Sequence, residues 1–152
     1  MDVRQKAVHY LNMRPATEAQ LRAYLKKGNF GDDEIGRTIE EMKEYHYIDD
    51  LRFSMQYFEY GFEKGRGTAR IRRELREKGV DSNLIDMAYE ELENIPDQFE
   101  TALNIANGMT EATDISELDY EEKRKLQARI GRRLAGRGFT ADIVYKVLGR
   151  FR

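Results

Sequence analysis

The chain contains no cysteine and no tryptophan, and among its 152 residues there are only two prolines, Pro15 and Pro96, and two histidines, His9 and His46. The lack of cysteine excludes disulfides, thiolate metal sites and cysteine nucleophiles. Neither histidine has a second histidine or a cysteine three or four residues on, so no metal centre is expected and both imidazoles read as packed or solvated structural groups. No glycine-rich phosphate loop of the GxxxxGK[ST] kind occurs, and Gly65-Arg66-Gly67 lacks both the preceding strand and the spacing of one. No apolar run approaches the roughly 18 residues of a membrane span, and no charged start leads into an apolar signal segment. The expectation is a cytoplasmic protein without cofactors, metals, membrane contact or catalytic chemistry of its own. Carboxylates are too abundant for any pair of them to single out an active site.

One further absence is informative. From Gly79 to Glu122 there is no Lys or Arg, while the same stretch holds 13 Asp and Glu. The rest of the chain therefore carries a net charge of +11, hidden within an overall formal charge of -2. From Lys123 to Arg152 ten basic residues face Asp142 alone. Segregated charge creates a directional field that net charge does not report, so a polyanion partner is compatible with the acidic total. Charged residues make up 36% of the chain and the mean hydropathy is -0.77, yet apolar residues recur at helical spacing, which argues against disorder.

The pattern is all-α. A first helix is expected over about residues 3–13, with Ala7, Tyr10 and Leu11 inward, ended by Pro15. Thr17 and Gln20 form a capping box for a second, with Leu21 and Leu25 as its stripe and Asn29 as a left-handed stop. A third, from about Asp32 to Glu44, buries Ile35, Ile39 and Met42. Displaced by 50 residues the pattern returns: Leu21 falls on Ile71, Leu25 on Leu75, Asn29 on Gly79, Ile35 on Ile85 and Met42 on Leu92. Displaced by a further 59 it returns again, with Ile71 on Ile130, Leu75 on Leu134, Gly79 on Gly138, Val80 on Phe139 and Leu92 on Phe151. Three tandem three-helix repeats follow, over residues 1–47, 48–95 and 96–152, in an elongated array free to curve. An acidic insertion near 107–118 accounts for the longer second spacing and is expected to be a surface loop. The first helix of the middle repeat, Asp50 to Glu63, is apolar on two sides, and its aromatics read as core rather than as base-stacking groups.

The candidate functional residues lie on the second helix of the later repeats. Thr68 is placed to cap the middle one, Ile71 and Leu75 to bury it, and Gly79 to stop it. Around that narrow apolar edge stand Lys64, Arg66, Arg70, Arg72, Arg73, Arg76 and Lys78, with Glu74 and Glu77 opposing them. Arg129, Arg132, Arg133 and Arg137 take the corresponding place in the last repeat. A helix of this kind either faces solvent or meets an anionic partner.

Ile48-Asp49-Asp50, Phe53, Gly65-Arg66-Gly67, Arg70-Ile71, Glu74-Leu75 and Lys78-Gly79-Val80 together resemble, in order and spacing, the central pattern of the RecX family. Its members regulate the bacterial RecA recombinase. Leu51 departs from that pattern where an acidic residue is frequent, and Gly61-Phe62 where an arginine is common. The resemblance implies a small α-helical protein lying in the groove of the RecA filament on single-stranded DNA, restraining ATP hydrolysis and strand exchange. The basic residues above would then face the DNA-bearing filament, with double-stranded DNA as a further ligand. Nothing points to an obligate oligomer, and a monomer is expected. Two alternatives stand beside this reading. One is an autonomous, non-specific DNA-binding helical protein; the other is a helical-repeat adaptor whose acidic middle binds a basic protein.

Overall fold

The computed structural model describes all residues from Met1 to Arg152 and contains no strands. Nine α-helices follow one another: α1 (Val3–Met13), α2 (Glu18–Lys27), α3 (Asp32–Glu44), α4 (Asp50–Glu63), α5 (Thr68–Glu77), α6 (Ser82–Glu91), α7 (Gln98–Met109), α8 (Tyr120–Arg137) and α9 (Ala141–Leu148). Short 3₁₀ turns occupy Ile115–Glu117 and Gly149–Phe151. None of the helices is long and apolar enough to cross a membrane. The chain divides into two compact units, residues 1–57 with 73–92, and residues 58–72 with 93–152.

In the first unit, α1 to α3 close over Ala7, Leu21, Leu25, Ile35, Ile39 and Met42, all fully buried. The expected stripes are the ones that pack. Thr17 caps α2 as its sequence position implies: its hydroxyl accepts from Gln20 N, while Gln20 Oε1 accepts from Thr17 N. The same hydroxyl also donates to Lys78 O at 2.7 Å, at the end of α5. A helix leaves its last carbonyls without internal partners, and here the start of another helix supplies one. Glu18 N is satisfied by Asp50 at 3.0 Å, and burial of that carboxylate raises its pKa although the bond from Glu18 N opposes the shift. Asn29 and Gly79 both adopt positive φ, as their cap positions require.

The second unit has its own core of Ala102, Ala106, Leu126, Ile130, Leu134, Phe139, Val147 and Phe151. Here too one helix begins on the end of another. Gly67 N donates to Arg137 O at 2.8 Å and Ala69 N to Gly138 O at 3.1 Å, so the start of α5 satisfies the terminal carbonyls of α8. The approach is close enough that a Cβ on Gly67 would stand 2.3 Å from the Gly138 carbonyl, and one on Gly138 would stand 2.1 Å from Arg70 Cβ. Gly138 further adopts φ of 99°, which L-residues with a side chain rarely do.

Two local expectations need adjustment. Thr68 lies inside α5 as its first residue, not ahead of it as a cap; Gly67 precedes it, because only a residue without a side chain fits against the α8 terminus. Helix α7 continues through Asn107 and Gly108 to Met109, so the irregular stretch begins at Thr110. Met109 extends the buried series of Ala102 and Ala106, and Ile115 and Leu118 pack on the same core.

Replacing Gly138 by Ala is expected to destabilise the protein by about 1–3 kcal/mol from backbone strain alone. The clash with Arg70 adds to that cost. Urea unfolding of Gly138→Ala beside Gly136→Ala, where a Cβ would meet nothing within 4 Å, checks this. Equal stability of the two variants would contradict the close junction.

Candidate basic binding surface

Helix α5 buries Ile71 and Leu75 completely and presents its basic residues around the remaining circumference. Arg73 and Arg76 are exposed, whereas Arg66, Arg70, Arg72 and Lys78 are half-buried. Arg73 lies 3.7 Å from Glu77, one turn on, in an exposed ion pair of little energetic weight. Several of the others rest on the aromatics of α4. Lys64 Nζ and the Arg66 guanidinium lie 5.7 and 5.2 Å from the Tyr60 ring centre, Arg72 lies 5.9 Å from Phe58, and Lys78 lies 5.3 Å from Tyr57. Each such contact is worth about 0.5–1 kcal/mol at an exposed position, and it restricts where the cation can point.

These aromatics do not share one environment. Phe58 is fully buried, while Tyr60 is 45% exposed. Phe58 is therefore core as expected, but Tyr60 belongs to the surface. The period of α4 places Tyr60 on an apolar side, and only the tertiary structure shows that it stays partly exposed, with Lys64 and Arg66 over its ring.

On α8, Leu126, Ile130 and Leu134 form the buried stripe, and Arg129, Arg132 and Arg133 are exposed. Arg124 and Lys125, which a reading by repeat correspondence passes over, are exposed as well. The run of basic residues from Lys123 onward was the available signal for them. None of Arg124, Lys125, Arg129, Arg132 and Arg133 has a carboxylate partner. Arg137 falls in the last turn of α8, where the macrodipole favours positive charge, so part of its placement serves the helix itself. Arg137 is the residue of this helix that reaches the α5 turn: its Nη1 donates to Lys64 O at 3.5 Å. The structure thus brings Lys64, Arg66 and Arg137 together around Gly65.

That turn has no main-chain phosphate cradle. Gly65 N donates to Phe62 O, Arg66 N to Gly61 O, Gly67 N to Arg137 O, Thr68 N to Gln98 Oε1 and Ala69 N to Gly138 O. With its amides committed, the turn can meet an anion only through side chains. No group of His, Asp and Glu is arranged to hold a metal ion. Elsewhere, Lys43 sits 3.1 Å from Glu18 and 3.4 Å from Glu40, and the Glu18 hydrogen bond raises its pKa. Asp142 is held below the usual carboxylate range by the Thr140 hydroxyl. Both are structural arrangements at helix ends.

An all-helical chain built on tandem three-helix domains, with basic residues on its exposed helix faces, defines a class of helical-repeat proteins. Comparison with known proteins narrows this. Residues 4–42 match the model of the first three-helix domain of RecX and residues 49–88 that of the second. A regulatory protein RecX from Haemophilus influenzae strain PittEE is 29% identical over 144 residues, covering 94% of this chain and 90% of the relative. One from Prosthecochloris aestuarii is 26% identical over 144 residues, covering 94% and 89%. Among solved structures, that of RecX from Lactobacillus salivarius superposes with a TM-score of 0.81 at 21% identity, over 98% of this chain and 94% of the other. The crystal structure of a regulatory protein RecX gives 0.75 at 22% identity, over 98% and 72%. The chain belongs to the RecX family of regulatory proteins.

Replacing Arg129, Arg132 and Arg133 together by Ala is expected to change folding stability by no more than about 0.5 kcal/mol for each site. The salt dependence of binding to a single-stranded oligonucleotide should fall by about 0.7 in log–log slope for each phosphate that is no longer neutralised. Titrations at several salt concentrations, with thermal unfolding as the control, check both. An unchanged slope would remove α8 from the binding surface.

Proposed function

We propose that this chain regulates RecA by binding its filament on DNA, and that it inhibits the recombinase and its ATP hydrolysis without catalysing a reaction itself. The observation that carries the reading is the exposed basic face of α8. Its cations have no acidic partners and remain available to an external polyanion, in a chain whose family is regulatory. The bases around α5 supply the second part of the surface: Arg70, Arg72, Arg73, Arg76 and Lys78 on and after the helix, Lys64 and Arg66 before it. Helices α7 to α9 act as a third repeat over residues 96–152. Ile130 and Leu134 are buried and Gly138 has positive φ, the same roles that Ile71, Leu75 and Gly79 have in the second repeat. The protein works as a monomer in the cytoplasm, and its binding energy comes from many moderate, salt-sensitive contacts spread along helices rather than from one deep pocket.

The test is to titrate the protein into RecA hydrolysing ATP on single-stranded DNA at fixed salt, with its binding to bare DNA measured in parallel. Suppression is expected well below the concentration that coats the DNA. Non-specific phosphate binding alone has dissociation constants of about 10⁻⁴ to 10⁻⁶ M at physiological salt. Suppression only once the DNA is saturated would replace this reading with that of an autonomous DNA-binding protein.

A further inference from the structure

Within the first compact unit, the end of α1, the turn between α3 and α4 and the start of α4 line an open groove of about 400 Å³. One residue of that turn is held in an unusual way. His46 follows the end of α3 with φ of 59°, in the left-handed region, where every other such position of the chain is taken by glycine or by Asn29. This backbone lets the amides of Tyr47 and Ile48 return to Met42 O, at 2.8 and 3.3 Å, and Ile48 enters the core. Glycine meets that requirement with less strain than a residue bearing a side chain. The turn therefore accounts for the backbone at position 46 but not for the imidazole, which is exposed and whose ring nitrogens have no partner within the chain.

The groove that this imidazole lines has two characters. Met13, 72% exposed, Pro15 and the half-buried Phe53 give it apolar walls. Arg14 and Arg52 bring two exposed guanidinium groups, neither of them paired with a carboxylate. The single acid of the lining, Asp49, is committed to the start of α4, where its carboxylate accepts from Arg52 N at 3.1 Å. Arg14 lies 5.9 Å from the centre of the Tyr10 ring, which is itself stacked on Tyr24 at 4.3 Å, so its position is restricted before any ligand arrives. We propose that this groove docks an acidic peptide segment carrying a large apolar side chain, which lies against Met13, Pro15 and Phe53 while flanking carboxylates meet Arg14, His46 and Arg52.

The chemistry selects this occupant. Guanidinium groups match carboxylates with parallel N–H donors, and an imidazole N–H adds another. An apolar anchor seated in a pocket with a charged rim gives a short segment both affinity and register. A nucleic-acid strand suits the groove less well: its row of phosphates calls for more cations than two arginines, and the walls from α1 are aliphatic, without a face on which bases stack. The proposal adds a second kind of partner to the regulatory reading, on residues separate from the basic surface of α5 and α8.

The experiment uses the whole chain and a fluorescein-labelled peptide, Asp-Glu-Asp-Leu-Phe-Asp-Glu-Asp, followed by fluorescence anisotropy at low salt. One control peptide has Ser-Ser in place of Leu-Phe, and another has Asn and Gln in place of the acids. The parent should bind the first peptide, and each control at least about fivefold more weakly, since each lacks one of the two kinds of contact. Arg52→Glu should weaken binding at least about tenfold, because a charge-assisted bond gives way to repulsion. Arg129→Glu, on α8, should bind like the parent. His46→Gly should lose about fivefold in binding yet keep the parent's melting temperature, because glycine suits the left-handed backbone; a purely structural histidine would show no loss of binding. The groove is overturned if the parent does not bind the peptide, if the Ser-Ser peptide binds equally well, or if Arg52→Glu and His46→Gly bind like the parent. It also falls if Arg129→Glu loses as much as Arg52→Glu, or if Arg52→Glu weakens oligo(dT) binding as much as peptide binding, which would make the groove part of a nucleic-acid surface. These readouts contain no RecA, so they stand whichever way the ATPase titration falls.

Discussion

The constraint on which the rest of the structure depends is a meeting of helix ends. A helix finishes with carbonyls that no residue of its own can satisfy, and burying them unsatisfied costs about 1–3 kcal/mol each. In the second unit the terminal carbonyls of α8 are satisfied by amides at the start of α5, an approach possible only because Gly67 and Gly138 lack side chains. In the first unit the end of α5 is met by the hydroxyl of Thr17, itself fully buried and already capping α2. A second helix that starts on the end of the next second helix occurs in each unit. It gives a small, highly charged chain fixed long-range contacts that its modest apolar content would not alone specify.

The basic surface follows from these junctions. Arg66 and Arg70 flank the first turn of α5 and Arg137 closes α8, so the backbone bonds that join the helices also set the positions from which these guanidinium groups extend. The aromatics of α4 then hold Lys64, Arg66, Arg72 and Lys78 by their ring faces, which limits side-chain freedom while leaving the charges intact. The α8 arginines lack such contacts and lie on an exposed helical face. One set of cations rests on aromatic rings and the other stands on an exposed helix face without such contacts. The family is one of regulatory proteins, and the engagement of a filament proposed above would fall to this surface.

Much of the fold was legible in the chain because the governing interactions are local. The capping box at Thr17 and Gln20, the buried stripes Leu21–Leu25, Ile71–Leu75 and Ile130–Leu134, and the left-handed stops at Asn29, Gly79 and Gly138 each need only a few neighbouring residues to be read. What escaped depends on residues far apart. Gly67 looks like an ordinary turn glycine until Gly138 is placed against it, and so Thr68 is mistaken for the cap. Tyr60 belongs to an aromatic series on α4, and periodicity places it inward because it cannot report that the position is left 45% exposed. The pairing of α4 rings with α5 cations is invisible for the same reason. For the candidate site, the basic helices were evident from charge alone, but how their cations are held, and Tyr60 among them, emerged only in three dimensions.

Amide hydrogen exchange of the free protein, resolved at Gly67, Thr68 and Ala69, tests most directly whether the junction organises the second unit. These residues stand at a chain turn, where exchange is ordinarily fast; if their amides are bonded to Arg137, Gln98 and Gly138 as described, they should exchange only when the helices around Ile130 and Leu134 open, with similar protection. Exchange at turn-like rates while the Ile130 and Leu134 amides stay protected would show that α5 is not anchored to α8, and would contradict the account.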